Sequence, residues 1–211
     1  MKLRWSLLNF IWTPYQPAVL LQEPTPPQQW QPAPPVFRQS NWLAVTALVV
    51  DPVMVAKSGD RLLREDAVSA LRVLILPLAA VVTPNSPEAT VLSGIDVVDA
   101  TSAREAARRI HDLGPAMVVV KGGHLGGDTS DDLVFDGRTF EVLSGRRIAT
   151  RHTHGTGCTF SAAICACLAR GLAPLEAVRE ARTYVQGAIE HAEPLGGGHG
   201  PVNHLWRLSN G

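Results

Sequence analysis

The chain has 211 residues, of which 45% are hydrophobic, and this is enough for one domain with a buried core. Nineteen basic and nineteen acidic residues give a formal net charge of zero, so no basic surface for nucleic acid or for an anionic membrane is expected. No run of about 18 apolar residues occurs, which argues against a membrane-spanning helix. The only cysteines are Cys158, Cys165 and Cys167, too few and too clustered for a disulfide framework, so a reducing cytoplasm is expected.

Two segments of different composition make up the chain. Eight of the 16 prolines lie in the first 35 residues, and four of the five tryptophans lie in the first 42. Residues 1–43 show neither helical nor strand periodicity, whereas regular patterns begin at Ala44. We therefore predict a Pro/Trp-rich leader over residues 1–43, disordered or outside the fold, and a folded domain over residues 44–211.

The folded segment alternates between strand-like and helix-like patterns. Short apolar runs that end at Pro, Gly or Lys predict strands, and apolar residues at helical spacing predict helices. In chain order we predict a strand at 44–50, a helix at 64–76, a strand at 81–83, a helix from Thr101 or Ser102 to Leu113, a strand at 117–120, a hairpin at 133–143 around Asp136-Gly137, a helix from Thr156 or Gly157 to Arg170, and a helix from Pro174. This order predicts an α/β fold with a mainly parallel sheet, in which ligands bind beyond the carboxyl ends of the strands.

Two of the predicted helices have an apolar face that should be buried. In the helix at 64–76 that face consists of Ala67, Val68, Leu71, Leu74 and Ile75. In the last helix it consists of Ala177, Val178, Ala181, Val185, Ala188 and Ile189. Both faces are expected to pack on the sheet.

The sequence His154-Gly155-Thr156-Gly157-Cys158 is the sharpest candidate for a functional site. Its small residues leave backbone N–H groups accessible at the start of a helix, where the helix dipole also favours an anion such as phosphate. The alternative is a Gly-rich loop that only permits a tight turn.

Polar residues follow three of the predicted strands and form weaker candidates. Asp51 could hold a metal ion or polarise a hydroxyl group, or could simply belong to an Asp-Pro turn. Asn85 and Glu88 are three residues apart and suit Mg²⁺, but an acidic first turn of a helix is the commoner explanation. Lys121 could bind a phosphate as a point charge, or could be a solvated strand end.

Four motifs occur along the chain in one order and carry a resemblance. They are Val50-Asp51-Pro52-Val53-Met54, Thr83-Pro84-Asn85-x-x-Glu88-Ala89, Val120-Lys121-Gly122-Gly123-His124 and His154-Gly155-Thr156-Gly157-Cys158. Together they resemble the hydroxymethylpyrimidine/phosphomethylpyrimidine kinases of thiamin biosynthesis, which belong to the ribokinase-like superfamily. The resemblance extends from about Val45 to His204. It implies a ribokinase-like fold, ATP and Mg²⁺ as cofactors, and phosphorylation of a pyrimidine alcohol and then of its monophosphate.

The resemblance also implies a role for each motif residue. Gly155, Thr156 and Gly157 would form the anion hole, and Cys158 would stand where related sugar kinases have a catalytic Asp, acting as a helper base. The residues implied around the nucleotide, metal and acceptor are Asn85 and Glu88 for Mg²⁺ and the ATP phosphates, Asp51 for the metal and phosphates, Lys121 for the phosphates, Thr153 for the nucleotide, and Val53 for the pyrimidine.

One feature of the family is missing from this sequence. The family opens with a strand and the motif G-S-D-x-S-G-G-A-G-I-Q-A-D, and nothing in residues 1–43 matches it. The resemblance therefore implies an N-terminally truncated domain that keeps the nucleotide half of the site. A non-catalytic fragment that binds nucleotide or a partner protein remains an alternative, and so does a related hydroxyethylthiazole or pyridoxal kinase. The family usually forms homodimers, which makes a homodimer a further expectation for this chain.

Overall fold

A computed structural model describes residues 47–54, 62–122, 129–195 and 197–208. The predicted leader at 1–43 lies outside these described residues. The strands are β1 (Leu48–Val50), β2 (Ala79–Val82), β3 (Val118–Val120), β4 (Asp132–Phe135) and β5 (Phe140–Leu143), and the helices are α1 (Glu65–Ala70), α2 (Ser86–Ser93), α3 (Ala100–His111), α4 (Thr156–Ala169) and α5 (Pro174–Glu190). Within these ranges, no helix has both the length and the apolar character needed to cross a membrane.

The five strands form one sheet in the order β1-β2-β3-β4-β5. The first three strands are parallel, and β4 and β5 add an antiparallel hairpin. Gly137 has a φ of 85° in the hairpin turn, where the Asp136 carboxylate accepts hydrogen bonds from the backbone N–H groups of Arg138 and Thr139. The predicted α/β class, the ribokinase-like architecture and the hairpin at Asp136-Gly137 are confirmed.

Side chains on the two faces of the sheet belong to two hydrophobic cores, because successive strand residues point to opposite faces. One core lies against α2 and α3 and includes the paired residues Val82 and Val118. The other core lies against α4 and α5 and includes Val81 and Val119. The sheet is thus covered on both faces, as parallel sheets normally are, and the open ends of its strands remain the place for a site.

Local signals fixed the ends of the later helices well. Helix α4 begins at Thr156 and is followed by Gly171, whose φ is 89°. The inward face predicted for α5 is confirmed, with five of its six residues buried and Ile189 partly buried. The predicted cap of α3 is two or three residues late, because Asp99 is the N-cap and Ser102 completes a capping box with it.

The prediction of one regular helix over residues 64–76 is wrong. Helix α1 ends at Ala70, a π-helical segment covers Leu71–Ile75, and a 3-10 turn covers Leu76–Leu78. A π-helical turn holds more residues than an α-helical turn, so the end of the predicted face is rotated away from the core, although Val68 and Leu71 still pack against it. Leu74 is consequently 63% exposed, whereas Leu76 is completely buried.

Candidate functional site

The ends of β1, β2 and β3 bring together the polar residues that follow them in sequence. Asp51 comes directly after β1, and Lys121 comes directly after β3. Asn85 lies three residues beyond β2 and forms an isolated parallel bridge with Lys121, whose N–H donates to the Pro84 carbonyl at 2.8 Å. The three strand ends therefore lie side by side at one edge of the sheet.

Asp51 and Lys121 form an ion pair at this edge. The Lys121 ammonium donates to Asp51 Oδ1 at 2.8 Å, and both side chains are largely shielded, with 16% and 13% of their surface exposed. A pair held in this way fixes the Lys121 side chain at the carboxyl end of the sheet. The positive charge of Lys121 is thereby positioned for a ligand that binds beyond the strands.

The Gly-rich turn lies directly over this ion pair. Gly155 is the N-cap of α4 and has a φ of 84°, a left-handed conformation that glycine adopts without steric cost. A Cβ atom added to Gly157 would lie 3.2 Å from Lys121 Nζ and 3.4 Å from Asp51 Oδ2. The start of α4, the end of β1 and the end of β3 therefore meet at one place, where a Cβ atom at position 157 would fit only if the neighbouring side-chain ends moved by a few tenths of an ångström.

The first turn of α4 presents backbone N–H groups that the helix itself does not satisfy. Helix α4 has no side-chain cap, and the amides of Gly157 and Cys158 have no hydrogen-bond acceptor within the described ranges. The Thr156 hydroxyl is already committed, because it donates to the Thr153 carbonyl at 2.8 Å. Cys158 follows in the same turn with an exposed thiol. The turn thus has the amides and the dipole of an anion-binding site, beside the Lys121 ammonium.

The C-terminal segment supports the Gly-rich turn from outside. The His154 amide donates to the Gly200 carbonyl at 3.1 Å, and the Val202 amide donates to the His154 carbonyl at 3.3 Å. Nδ1 of His152, a buried side chain, accepts a hydrogen bond from the Gly200 amide at 3.1 Å. These bonds, together with the isolated parallel bridge between His154 and Pro201, hold the turn against the C-terminal segment.

Asn85 and Glu88 form a capping box at the start of α2. The Asn85 side chain accepts from the Glu88 amide at 2.9 Å, and Glu88 Oε2 accepts from the Asn85 amide at 2.8 Å. Glu88 Oε1 accepts from the Met54 amide at 3.3 Å, and the Glu88 residue is 3% exposed. Both carboxylate oxygens therefore accept backbone hydrogen bonds, one within α2 and one across to the segment that follows β1.

The segment after β1 has an unusual backbone at Val53. Among the described residues, Val53 is the only non-glycine residue with a positive φ, at 43°, and its side chain is 46% exposed. A β-branched residue in this region is strained, and strained backbone of this kind clusters at functional sites. Val53 therefore presents an exposed apolar side chain beside the site.

Asp132 is a contributor to the site that sequence patterns do not indicate. Its Oδ1 accepts from the Gly122 amide at 2.6 Å, and its Oδ2 lies 2.9 Å from Arg182 Nε on α5. Burial raises the pKa of the Asp132 carboxyl, while the Arg182 charge and the Gly122 hydrogen bond act against that rise. Asp132 thus anchors Gly122, the residue next to Lys121. The sequence at the strand ends does not indicate this contact.

The fold and this arrangement of strand ends around a Gly-rich helix start define a ribokinase-like domain of the kind found in vitamin kinases. The structure of an ADP complex of pyridoxal kinase from Bacillus subtilis matches with a TM-score of 0.72 and 42% sequence identity, over 77% of this chain and 62% of that chain. The sequence model of the family described as phosphomethylpyrimidine kinase matches residues 36–203. The chain belongs to the phosphomethylpyrimidine kinase family.

Curated relatives agree with this assignment. A hydroxymethylpyrimidine/phosphomethylpyrimidine kinase from Rhizobium meliloti is 53% identical over 163 residues, which cover 75% of this chain and 61% of the relative. The thiamine biosynthesis bifunctional protein ThiED from Geobacter sulfurreducens is 52% identical over 158 residues, which cover 75% of this chain and 32% of the relative. The chain therefore spans about three fifths of the length of the single-function relative and about a third of the bifunctional one.

Proposed function

We propose that this chain is an ATP-dependent kinase that phosphorylates hydroxymethylpyrimidine and then hydroxymethylpyrimidine monophosphate to the diphosphate. The observation that carries the proposal is the contact of Gly157 with the Asp51–Lys121 ion pair at the start of α4. A phosphate bound to the first turn of α4 would be adjacent to the Lys121 ammonium. Amides and a fixed cation together provide the positioning and charge neutralisation that phosphoryl transfer requires.

The phosphate-binding roles divide between backbone and side chains. The amides at Gly157 and Cys158 would donate to the oxygens of the transferred phosphate, and Gly155 and Thr156 shape the turn that aims them. Lys121 would neutralise charge on the ATP phosphates as a point charge. Thr153 is proposed on the nucleotide side and Val53 on the pyrimidine side, by the resemblance to the family.

Cys158 is proposed to assist the first of the two transfers. A primary alcohol must lose a proton as it attacks phosphorus, and a side chain at the start of α4 can accept that proton or hydrogen-bond the hydroxyl. The monophosphate acceptor is already an anion and needs no comparable help. The exposed thiol of Cys158 is accessible to an acceptor without rearrangement of the helix.

Mg²⁺ is implied by the family, and the residues present fit it in part. When bound with nucleotide phosphates, Mg²⁺ neutralises their charge, and proteins commonly supply only one or two carboxylates to it. Asp51 fits, because its Oδ1 pairs with Lys121 while its Oδ2 is turned toward Gly157. Glu88 fits less well as a direct ligand, because it is 3% exposed and the backbone hydrogen bond at each of its oxygens holds the carboxylate in place. Among the described residues, no group of three His, Cys, Asp or Glu side chains could hold a metal ion alone.

The direct test is turnover with a defined set of acceptors. The purified chain is incubated with ATP, Mg²⁺ and hydroxymethylpyrimidine, its monophosphate, hydroxyethylthiazole or pyridoxal, and ADP release is followed. The proposal expects turnover with the two pyrimidines above that with the other alcohols. Faster turnover with pyridoxal or hydroxyethylthiazole would contradict the proposed acceptor while leaving a kinase activity in place.

A second candidate function is binding of a nucleotide or a partner protein without catalysis. It is the alternative because the Gly-rich acceptor motif of the family has no match in residues 1–43. ADP that raises the melting temperature, combined with no turnover of any acceptor, would favour this alternative. The leader at 1–43, the cytoplasmic location and the homodimer expected from the sequence stay predictions.

A further inference from the structure

The segment from Asp51 to Val53 is a short arch held at both of its ends. At one end, the Val50 carbonyl accepts from the Thr83 amide at 2.9 Å. At the other end, Met54 is 2% exposed, packs in the core shared with α2 and α3, and accepts from the Leu62 amide at 2.9 Å. The arch thus carries Asp51 between two fixed points.

The Met54 amide is the point at which the arch contacts α2. It donates to Glu88 Oε1, an oxygen that belongs to a side chain 34 residues further along the sequence. The other oxygen, Oε2, is held by the Asn85 amide, so the Glu88 carboxylate spans the ends of β1 and β2. The strained residue, Val53, is directly before the amide that Glu88 holds.

We infer that Glu88 is a positioning residue that holds the Asp51–Val53 arch in its strained conformation, and that it acts through the Met54 amide and not as a ligand of a metal ion. A strained backbone conformation persists only where surrounding contacts hold it. A buried carboxylate with both oxygens accepting from backbone amides provides such a contact on one side of Val53. Through the arch, Glu88 also sets the place of Asp51. The inference bears on the proposed function, but the contact that it describes requires no bound ligand.

The Glu88→Gln variant separates the two bonds of the carboxylate. A glutamine at this position of a capping box can still accept from the N-cap amide, so the bond from Asn85 is retained. Its NH₂ group then faces the Met54 amide, and two donors cannot pair. Residue-resolved amide hydrogen exchange should show faster exchange at Met54, by about tenfold or more, with little change at Asn85.

Two further variants keep the test interpretable. Ser102→Ala removes the equivalent residue of the capping box in α3 and should leave Met54 exchange unchanged. Val53→Gly relieves the strain at a positive φ. The Asp51–Val53 arch therefore keeps its conformation more readily when the Glu88 contact is lost. In the Val53→Gly background, the acceleration at Met54 caused by Glu88→Gln should be smaller by about fivefold. Because Val53→Gly is expected to stabilise the chain, this comparison also remains available if Glu88→Gln alone folds poorly.

A binding measurement distinguishes the positioning role from metal ligation. Calorimetric titration with ADP is performed with and without Mg²⁺, for the unmodified chain, for Glu88→Gln, and for Glu88→Gln combined with Val53→Gly. Because Asp51 lies on the arch, displacement of the arch reduces the Mg²⁺-dependent gain in ADP affinity in Glu88→Gln. The inference expects that gain to return in the double variant, because relief of the strain keeps the arch in place, whereas the loss of a metal ligand would persist there. Unchanged Met54 exchange in Glu88→Gln, or a loss of the Mg²⁺-dependent gain that persists in the double variant, would overturn it. If ADP binds to none of these proteins, the proposed function fails while the exchange result still decides the role of Glu88.

Discussion

The Asp51 carboxylate and the Lys121 ammonium are 70 residues apart in sequence and 2.8 Å apart in the structure. Their pairing joins the ends of β1 and β3 beneath the first turn of α4. Most ion pairs on protein surfaces contribute little to stability, because solvent screens them and ordering two side chains is costly. This pair is mostly shielded, and we propose that it serves the binding of an anion rather than general stability.

Lys121→Met should weaken ADP binding, because the proposed site loses the cation nearest to the amides of α4. A charge-assisted hydrogen bond contributes about 1.5–3 kcal/mol, so an affinity loss of about tenfold or more is expected. Titration calorimetry without Mg²⁺ measures it. Under the same conditions Asp51→Asn should keep or increase ADP affinity, because it removes a negative charge beside the phosphates while Lys121 remains.

A second ion pair of the same length provides the matched control for Lys121→Met. Arg179 on α5 lies 2.8 Å from Glu141 on β5, with side chains that are 52% and 31% exposed. Arg179→Met should leave ADP affinity unchanged, since this pair is far more exposed and neither Arg179 nor Glu141 is among the residues of the proposed site. Equal affinity losses in Lys121→Met and Arg179→Met would show that the Asp51–Lys121 pair has no special role in nucleotide binding.

Gly157→Ala should lower ADP affinity without lowering stability. Alanine is a better helix former than glycine, so the free energy of unfolding should stay the same or increase by up to about 0.5 kcal/mol. The added Cβ would crowd Lys121 Nζ at 3.2 Å, and ADP affinity should fall several-fold. Thermal unfolding and calorimetry measure the two effects.

Gly198→Ala is the control for this substitution, because a Cβ atom at Gly198 would meet no atom within 4 Å. It should change neither the melting temperature nor ADP affinity appreciably. If Gly157→Ala binds ADP as tightly as Gly198→Ala does, the close approach of Gly157 to the ion pair is irrelevant to the nucleotide.

The sequence predicted the strand ends, the start of α4 and the inward face of α5 because each depends on residues near to one another. Apolar runs, a Gly-rich turn and helical periodicity are local signals. They were sufficient to place Asp51, Asn85 and Lys121 at one edge of the sheet, where parallel strands must end together. The roles proposed for these residues come from the family resemblance and from their contacts.

Other features depend on contacts between distant residues and had no local signal. The bond between Glu88 and the Met54 amide joins two segments 34 residues apart, and the capping pattern shows only its local half. The π-helical segment at Leu71–Ile75 breaks a regular apolar periodicity that predicted a continuous helix. The pairing of Asp132 with Arg182 requires the hairpin to be docked on α5. In each case, tertiary packing decides the outcome.

Val53→Gly should stabilise the chain, because glycine adopts a positive φ without steric cost. Strain at such a position costs about 1–3 kcal/mol, and Val53→Gly removes this cost. The larger entropy of the unfolded chain with glycine offsets part of the resulting stabilisation. A net increase of about 1 kcal/mol in the free energy of unfolding is expected from denaturant titration. Val53→Ala keeps a Cβ and should give less than half of this increase. Equal effects of the two variants would show that the Val53 backbone is not strained.

Arg182→Met should be strongly destabilising, because it leaves the buried Asp132 carboxylate without its partner. Removing one member of a buried pair typically costs about 3–5 kcal/mol, while removing both charges costs much less. Asp132→Asn combined with Arg182→Met should therefore recover most of the lost stability. Urea titration of the single and double variants measures the recovery, and no recovery would mean that Arg182 acts through packing or through its bond to the Ser130 carbonyl.

The same pair predicts a dependence on pH. Burial raises the pKa of Asp132 in the folded chain, so the folded state binds this proton more tightly than the unfolded state. For such a group, relative stability is greatest below the ordinary carboxyl pKa of about 4 and is lost as the pH rises through the folded-state pKa. The loss of unfolding free energy caused by Arg182→Met should thus be smaller at about pH 4 than at about pH 7. When Asp132 is also replaced by Asn, this dependence on pH should disappear. A loss independent of pH would contradict this account.

Cys158→Ala should affect the two proposed phosphorylation steps unequally. Proton acceptance by a positioned side chain typically accelerates a reaction by about 100-fold or more, and a helper thiol should account for at least about tenfold of the alcohol reaction. The monophosphate reaction should lose less than about threefold, since its acceptor is already ionised. Steady-state kcat values for both acceptors measure this difference, and Cys165→Ala is the control because it removes another exposed cysteine of α4. Equal kcat losses for the two acceptors would exclude the helper role. If neither acceptor turns over, protection by ADP of Cys158 but not of Cys165 from alkylation would still place the nucleotide at the first turn of α4.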